Sequence, residues 1–247
     1  MMLRTLATLA CLAALPAQAQ TSGTMTDAER SAFRAEVRAY LLENPEVLME
    51  AIGILEDRRD AADAAGDVAL VQANATAIFD DPASWVGGNP EGDVTVVEFM
   101  DYRCGYCRKA FEEVEELIDQ DGNIRFVVKE FPILGEASDL SARFAVATLQ
   151  LAGADAYKAA HDALIALRGD PTRDALARLA GDLGLDAAAI LARMDGPEVT
   201  AVIAANHALA GQLQINGTPT FVIGNTMVRG YVPLDGMKAI VAEERKG

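Results

Sequence analysis

The spacing of apolar residues changes several times along the chain, and each change predicts an element. Phe33, Val37, Tyr40 and Leu41 mark one face of a helix, with Thr26 and Glu29 as its capping box. Asn44-Pro45 interrupts it, and Leu48, Ile52 and Leu55 resume the stripe. The charged, alanine-rich run EDRRDAADAAGD follows, then a weaker helical stretch reaching Ile78 and Phe79. Asp81-Pro82 and GGNPEGD (Gly87 to Asp93) punctuate the chain before a buried strand, Val94 to Met100. Phe111, Val114, Leu117 and Ile118 then sit at helical spacing, and Ile124 to Phe131 reads as a second strand, which completes a βαβ unit. From about 137 to 214 the chain is alanine- and leucine-rich, broken at Gly153, Gly169-Asp170-Pro171, Gly184 and Gly196-Pro197, a block of about five helices. Strands at Thr220 to Ile223 and Met227 to Val232, joined by Gly224-Asn225, and a helix from Leu234 to Arg245 close the sequence.

Chemistry concentrates where the first strand meets its helix. Cys104 falls at a helix start, where unpaired N–H groups and the dipole favour an anion, and Cys107 lies one turn further in. The natural division is Cys104 as attacking thiolate and Cys107 as resolving thiol. Zinc is the plainer alternative, but beyond this pair the chain offers only His161 and His207, far from each other and from the cysteines in sequence. No metal site is expected, and both histidines are read as ordinary packing or surface residues of the helical block. A purely structural disulfide closing so short a loop removes little unfolded-chain entropy.

Glu98 stands in the middle of an apolar strand, which costs several kcal/mol unless it is paired or protonated. If Val94, Val96, Glu98 and Met100 share one face, Glu98 lies beneath the dithiol helix and can exchange a proton with Cys107. Lys129, on the neighbouring strand, is its expected partner; a structural ion pair, or an edge position reaching water, is the bland alternative. Pro219 opens a strand although it cannot donate a ladder hydrogen bond. Tyr106, between the cysteines, is read as a tuner of the dithiol and a substrate contact.

Composition adds the setting. The chain has 247 residues, 51% of them apolar, enough for one sizeable core and a smaller extra segment. Residues 1–19 carry one cation, Arg4, an apolar stretch from Leu6 to Leu15 and Ala17-Gln18-Ala19, the pattern of a secretory signal peptide with cleavage before Gln20. Of three cysteines, Cys11 belongs to this signal, so the exported chain keeps only the spaced pair, as suits the oxidising periplasm. Loss of Arg4 takes the formal net charge from −16 to −17, which argues against nucleic acid or an anionic membrane as partner. The apolar stripe of residues 26–56, on a short arm ahead of a compact domain, must be buried against its own domain or against another copy of the chain.

WVGGNPEGDVTVVEFMDYRCGYC, VVKEFPILGE and NGTPTFVIGN resemble the thioredoxin-fold, DsbA-like oxidoreductases of the bacterial envelope, from about Trp85 to the C-terminus. The resemblance implies an α/β thioredoxin fold with a helical insert at about 137–214. It also implies a cis Thr218-Pro219 bond opposite the dithiol, with Thr218 tuning reactivity and pairing its backbone with an extended substrate. Glu98 and Lys129 fall where the family carries an acid and a lysine near the resolving cysteine. FRAEVRAYLLENPEVLMEAI is similar to the N-terminal segment of the suppressor-of-copper-sensitivity C branch, in which the resemblance implies dimers or trimers and disulfide isomerases rather than monomeric oxidases.

The expected organisation is a signal peptide (1–19), an N-terminal helical segment with possible association through residues 26–56 and a linker (20–81), and a DsbA-like catalytic domain (82–247). The expected function is a periplasmic protein disulfide isomerase or reductase acting through CGYC, with no cofactor beyond the redox-active Cys104–Cys107 disulfide. Its partners are cysteine-containing exported proteins and a membrane thiol reductase or oxidase. The rivals are a monomeric DsbA-like disulfide donor and a non-catalytic protein holding Cu(I) between the two thiolates. Gly105-Tyr106 leaves the potential open between about −270 and −120 mV.

Overall fold

The computed structural model describes residues 25–246; the signal peptide expected at 1–19, and Cys11 within it, lie outside the described residues. By its contacts the chain divides into two compact units, one ending at Asp57 and the other beginning at Arg58. The second unit thus takes in residues 58–81 together with the domain expected at 82–247.

The first unit holds helix α1 (Asp27–Glu43) and the opening turns of α2 (Glu46–Ala73). Thr26 caps α1 through the expected box: its hydroxyl accepts from Glu29 N–H, and the Glu29 carboxylate accepts from Thr26 N–H. Pro45 lacks the N–H that would carry α1 on, and α2 restarts beyond it. No residue of α1 is buried; Phe33, Val37, Tyr40, Leu48, Ile52 and Leu55 all stand exposed.

The charged, alanine-rich run is part of α2, because alanine and arginine favour the helix and no proline intervenes. Burial begins only near the end of α2. Val71 and, from the short helix α3 (Ala75–Phe79), Ile78 are fully buried in the second unit.

That unit is built on a five-stranded sheet in the order β1-β3-β2-β4-β5. β2 (Val94–Met100) and β3 (Ile124–Glu130) are parallel and joined by helix α4 (Gly105–Asp121); every other pairing is antiparallel. Gly122, in the left-handed region at φ 69°, ends α4. The five expected helices of the insert follow: α5 (Glu136–Ala152), α6 (Ala154–Ala166), α7 (Arg173–Asp182), α8 (Ala187–Met194) and α9 (Pro197–Gln212). β4 (Thr220–Ile223), β5 (Thr226–Arg229) and α10 (Leu234–Glu244) complete the fold. β5 stops short of Val232 because Gly230, at φ 97°, turns the chain and gives its N–H to Pro219 O.

One strand was not expected. β1 (Trp85–Gly88) pairs with β3, while Trp85 stacks on Tyr157 and donates its indole N–H to Ala154 O at 3.0 Å. A side chain at Gly88 would meet Ile124 O, and at φ 65° only glycine is comfortable there.

Both faces of the sheet are covered, which is why β2 reads as a near-continuous apolar run. Val94, Val96 and Met100, with Ile124, Phe126 and Val128, pack beneath α4 through Ala110, Val114 and Leu117. Val97, Phe99 and Val127 face the other way, against Val71, Ile78, Leu209 and Leu213.

Candidate active site

β2 delivers the chain to the N-terminus of α4, whose N-cap position is Cys104. The turn before it is held twice. Cys104 N–H donates to Asp101 O, and the buried Asp101 carboxylate accepts N–H bonds from Arg103 at 2.7 Å, Ile133 at 2.8 Å and Leu134 at 3.1 Å. Arg103 and Arg108 tie this corner to the insert by donating to Gly169 O and Leu167 O respectively.

Cys104 and Cys107 are free thiols, 8% and 1% exposed. The Sγ of Cys104 donates to the carbonyl of Thr218 at 3.2 Å, across a cis Thr218–Pro219 bond. The sequence motifs more than a hundred residues apart thus meet at one place. Exposed beside it stand Tyr106, 63% accessible with its ring 6.2 Å from that of Tyr231, and Leu134.

Cys107 lies under the helix in a different environment. Burial pushes its thiol well above the ordinary range, the Glu98 carboxylate adds to this, and the Asp101 backbone and Thr218 side chain act the other way. Glu98 sits on the α4 face of β2, as the alternation of Val96, Glu98 and Met100 requires. Burial, reinforced by the nearby Glu130 charge, pushes its carboxyl up to about 8.

Lys129 is not its partner, which corrects the expected pairing. Glu98 stands opposite Val128 in the ladder, whereas Lys129 stands opposite Phe99 and faces the other side of the sheet. There its buried Nζ donates to Asp81 Oδ2 and Ala77 O, both at 2.8 Å. The residue that does share the Glu98 face is Glu130, opposite Met100.

Glu130 carries no local signal in the sequence, since it ends a strand next to a second charged residue. It is buried, and its Oε1 accepts from Tyr102 Oη at 2.8 Å and from Tyr157 Oη at 2.6 Å. Tyr102 gives its one proton to Glu130, so its oxygen accepts from His161 Nδ1 at 2.9 Å. Burial, with Lys158 nearby, pushes the His161 imidazole down to about 3, so it is neutral. His161 is therefore a packing residue, as expected, but one with a fixed hydrogen-bond role; His207 is exposed. Among the described residues no group of three or more His, Cys, Asp or Glu side chains is placed to hold a metal ion.

Comparison with known proteins follows these motifs. The family described as DSBA-like thioredoxin domain matches residues 95–242, and that described as copper resistance protein ScsC N-terminal domain matches residues 29–62. The chain is similar to the crystal structure of a thioredoxin-like oxidoreductase from Silicibacter pomeroyi, at 46% identity over 70% of this chain and 98% of that one, with a TM-score of 0.66. It is similar also to BcfH of Salmonella enterica Typhimurium, at 27% identity over 89% of this chain and 97% of that one, with a TM-score of 0.72. It is 29% identical over 165 residues to the Na(+)/H(+) antiporter NhaA 1 of Salinispora arenicola, a stretch that is 66% of this chain. The chain spans about a quarter of the length of the curated relatives it matches.

Proposed function

This chain belongs to the DSBA-like thioredoxin-domain family, and from that membership we propose that it exchanges disulfides with exported proteins in the periplasm, Cys104 attacking and Cys107 resolving. The observation that carries the reading is the position of Cys104, at the start of α4 with its sulfur 3.2 Å from the Thr218 carbonyl. An extended client segment laid along Thr218 by backbone pairing brings its disulfide to that sulfur, with Tyr106 and Leu134 as apolar contacts.

In the first step the Cys104 thiolate attacks one client sulfur. The client S–S bond breaks, a mixed disulfide forms, and the expelled client thiolate takes a proton from solvent. Cys107 then gives its proton to Glu98 and attacks the Cys104 sulfur, releasing the second client thiolate. The client gains two electrons, and the dithiol becomes a disulfide. In isomerisation the expelled client thiolate attacks another client disulfide, and the client thiolate released there attacks the client sulfur of the mixed disulfide, forming a new client S–S bond and freeing Cys104, so the dithiol ends reduced.

The isomerase direction is supported by the first unit. Its match to the ScsC N-terminal domain and its exposed apolar side chains fit a dimer or trimer that presents several dithiols to one client. A membrane thiol reductase would recharge such a protein. The signal-like start of the sequence supports the periplasm, and among the described residues no helix is long and apolar enough to cross a membrane.

The test is recovery of scrambled-disulfide ribonuclease by the mature protein. Recovery that is lost in Cys104→Ser is expected. Oxidation of reduced ribonuclease without recovery of the scrambled form would make it a disulfide donor, and stoichiometric Cu(I) binding without disulfide turnover would overturn the reading. Self-association has its own check: Leu48→Glu should convert an oligomer to a monomer in light scattering, and a wild-type monomer would remove this support for isomerisation.

A further inference from the structure

The buried cluster behind the dithiol is larger than the exchange chemistry requires. Glu98 and Glu130 lie diagonally on one sheet face, from adjacent parallel strands, in a region sealed by α4 and α6. Two carboxylates so placed cannot both ionise without mutual repulsion, so they titrate as a pair in two steps. Their surroundings differ. Glu130 receives two tyrosine O–H donors on Oε1, which favour its charged form; burial outweighs them and the Asp101 charge adds to it, so its carboxyl too is pushed up to about 8, and its Oε2 is buried without a partner. For Glu98 burial and the neighbouring charge both favour the neutral acid.

We propose that Glu130 is a positioning residue for the proton transfer at Cys107: supported by Tyr102 and Tyr157, it takes the first negative charge of the buried pair, so that Glu98 gives up its proton second. The inference rests on the reading of Cys104 and Cys107 as an exchanging dithiol. Its consequence is a Glu98 that titrates close to ambient pH and so works in both directions. As a carboxylate it takes the Cys107 proton when the Cys104–Cys107 bond forms and the Cys104–client bond breaks; as an acid it returns that proton to Cys107 when the bond is cleaved. Glu130 touches neither sulfur and acts only through its charge on Glu98.

The groups facing the pair are few. From the β2–α4 turn come Asp101, held by three backbone N–H groups, and Tyr102. From α6 come Tyr157 and the neutral His161, with Lys158 beyond it; from α4 come Cys107 and Cys104; from α9 the Asn206 amide donates to Glu130 O at 3.0 Å. The two cations of β3, Arg125 and Lys129, both lie on the opposite sheet face, so no cation on the strand neutralises the pair.

The experiment follows thionitrobenzoate release when the reduced, full-length mature protein meets 5,5′-dithiobis(2-nitrobenzoate). Release by Cys104 is the first phase and release by Cys107 resolving the mixed disulfide is the second. The pH at which the second phase accelerates is the readout, since a merely structural role would not move it. Glu130→Gln removes the repelling charge, and the acceleration should move to lower pH by about one unit. Tyr157→Phe weakens support for the same charge and should move it the same way by less; should Glu130→Gln not fold, this variant decides alone. Glu98→Gln should abolish the acceleration. Profiles of Glu130→Gln and Tyr157→Phe that accelerate at the wild-type pH would overturn the role of Glu130. A wild-type protein with no second phase would instead bring down the dithiol reading, and the inference with it.

Discussion

Helices in the two units carry the same kinds of apolar side chain to opposite ends. In the first unit Phe33, Val37, Leu48 and Leu55 are spaced to form a face, and none is buried. In the second, Val71 and Ile78, reached by the same run of helices, are sealed against Val97, Phe99 and Val127 of the sheet. Periodicity shows that a face exists; only a partner surface makes that face a source of stability. The second unit is thus where a substitution should register in folding, and the first where it should register in association.

The largest expected effect is one of pH. Glu98 folds with its carboxyl raised to about 8 from an ordinary 4.5, so the unfolded chain releases its proton first. The stability tied to this group is fully present below about pH 4.5 and is lost as pH rises through 8. Between pH 5 and 9, urea unfolding of Glu98→Gln should gain roughly 4 kcal/mol on the wild type. Next, Ile78→Ala should cost about 3 kcal/mol, although the sequence shows only a weak helical stretch there. Asp81→Asn leaves the buried Lys129 ammonium without its carboxylate and should cost about 2 kcal/mol at neutral pH. Burial opposes ionisation of Asp81, but Lys129, Ala83 N–H and Ser84 outweigh it and hold the carboxyl below its usual 3.8. Its contribution is therefore present above about pH 4 and lost as pH falls through the lowered value, so the Asp81→Asn deficit should close in acid. Smallest of all, Leu55→Ala should change unfolding by less than about 0.5 kcal/mol in a dilute monomer. A cost of several kcal/mol there would break the contrast between the units.

Much of the second unit was legible in the sequence because its local signals agree. The strand at Val94–Met100, the helix behind the cysteines, and the insert and its glycine breaks all stand where the pattern puts them, as does the capping box at Thr26 in the first unit. The cis bond at Pro219 was legible only through family resemblance, since most X-Pro bonds are trans. What failed depended on register. Lys129 and Glu130 are adjacent in sequence and on opposite faces of β3, and nothing local says which of them meets Glu98. Tyr102, Tyr157 and Glu130 converge only through tertiary packing, and β1 is too short to carry a period of its own.

The central claim is that Cys104 attacks and Cys107 resolves, and the most direct measurement is mass spectrometry of Cys107→Ser after incubation with a disulfide-bonded client. The account predicts a mixed disulfide that persists and maps to Cys104, with none accumulating on wild type under the same conditions. A client attached to Cys107 in the Cys104→Ser variant, with no adduct on Cys107→Ser, would contradict it.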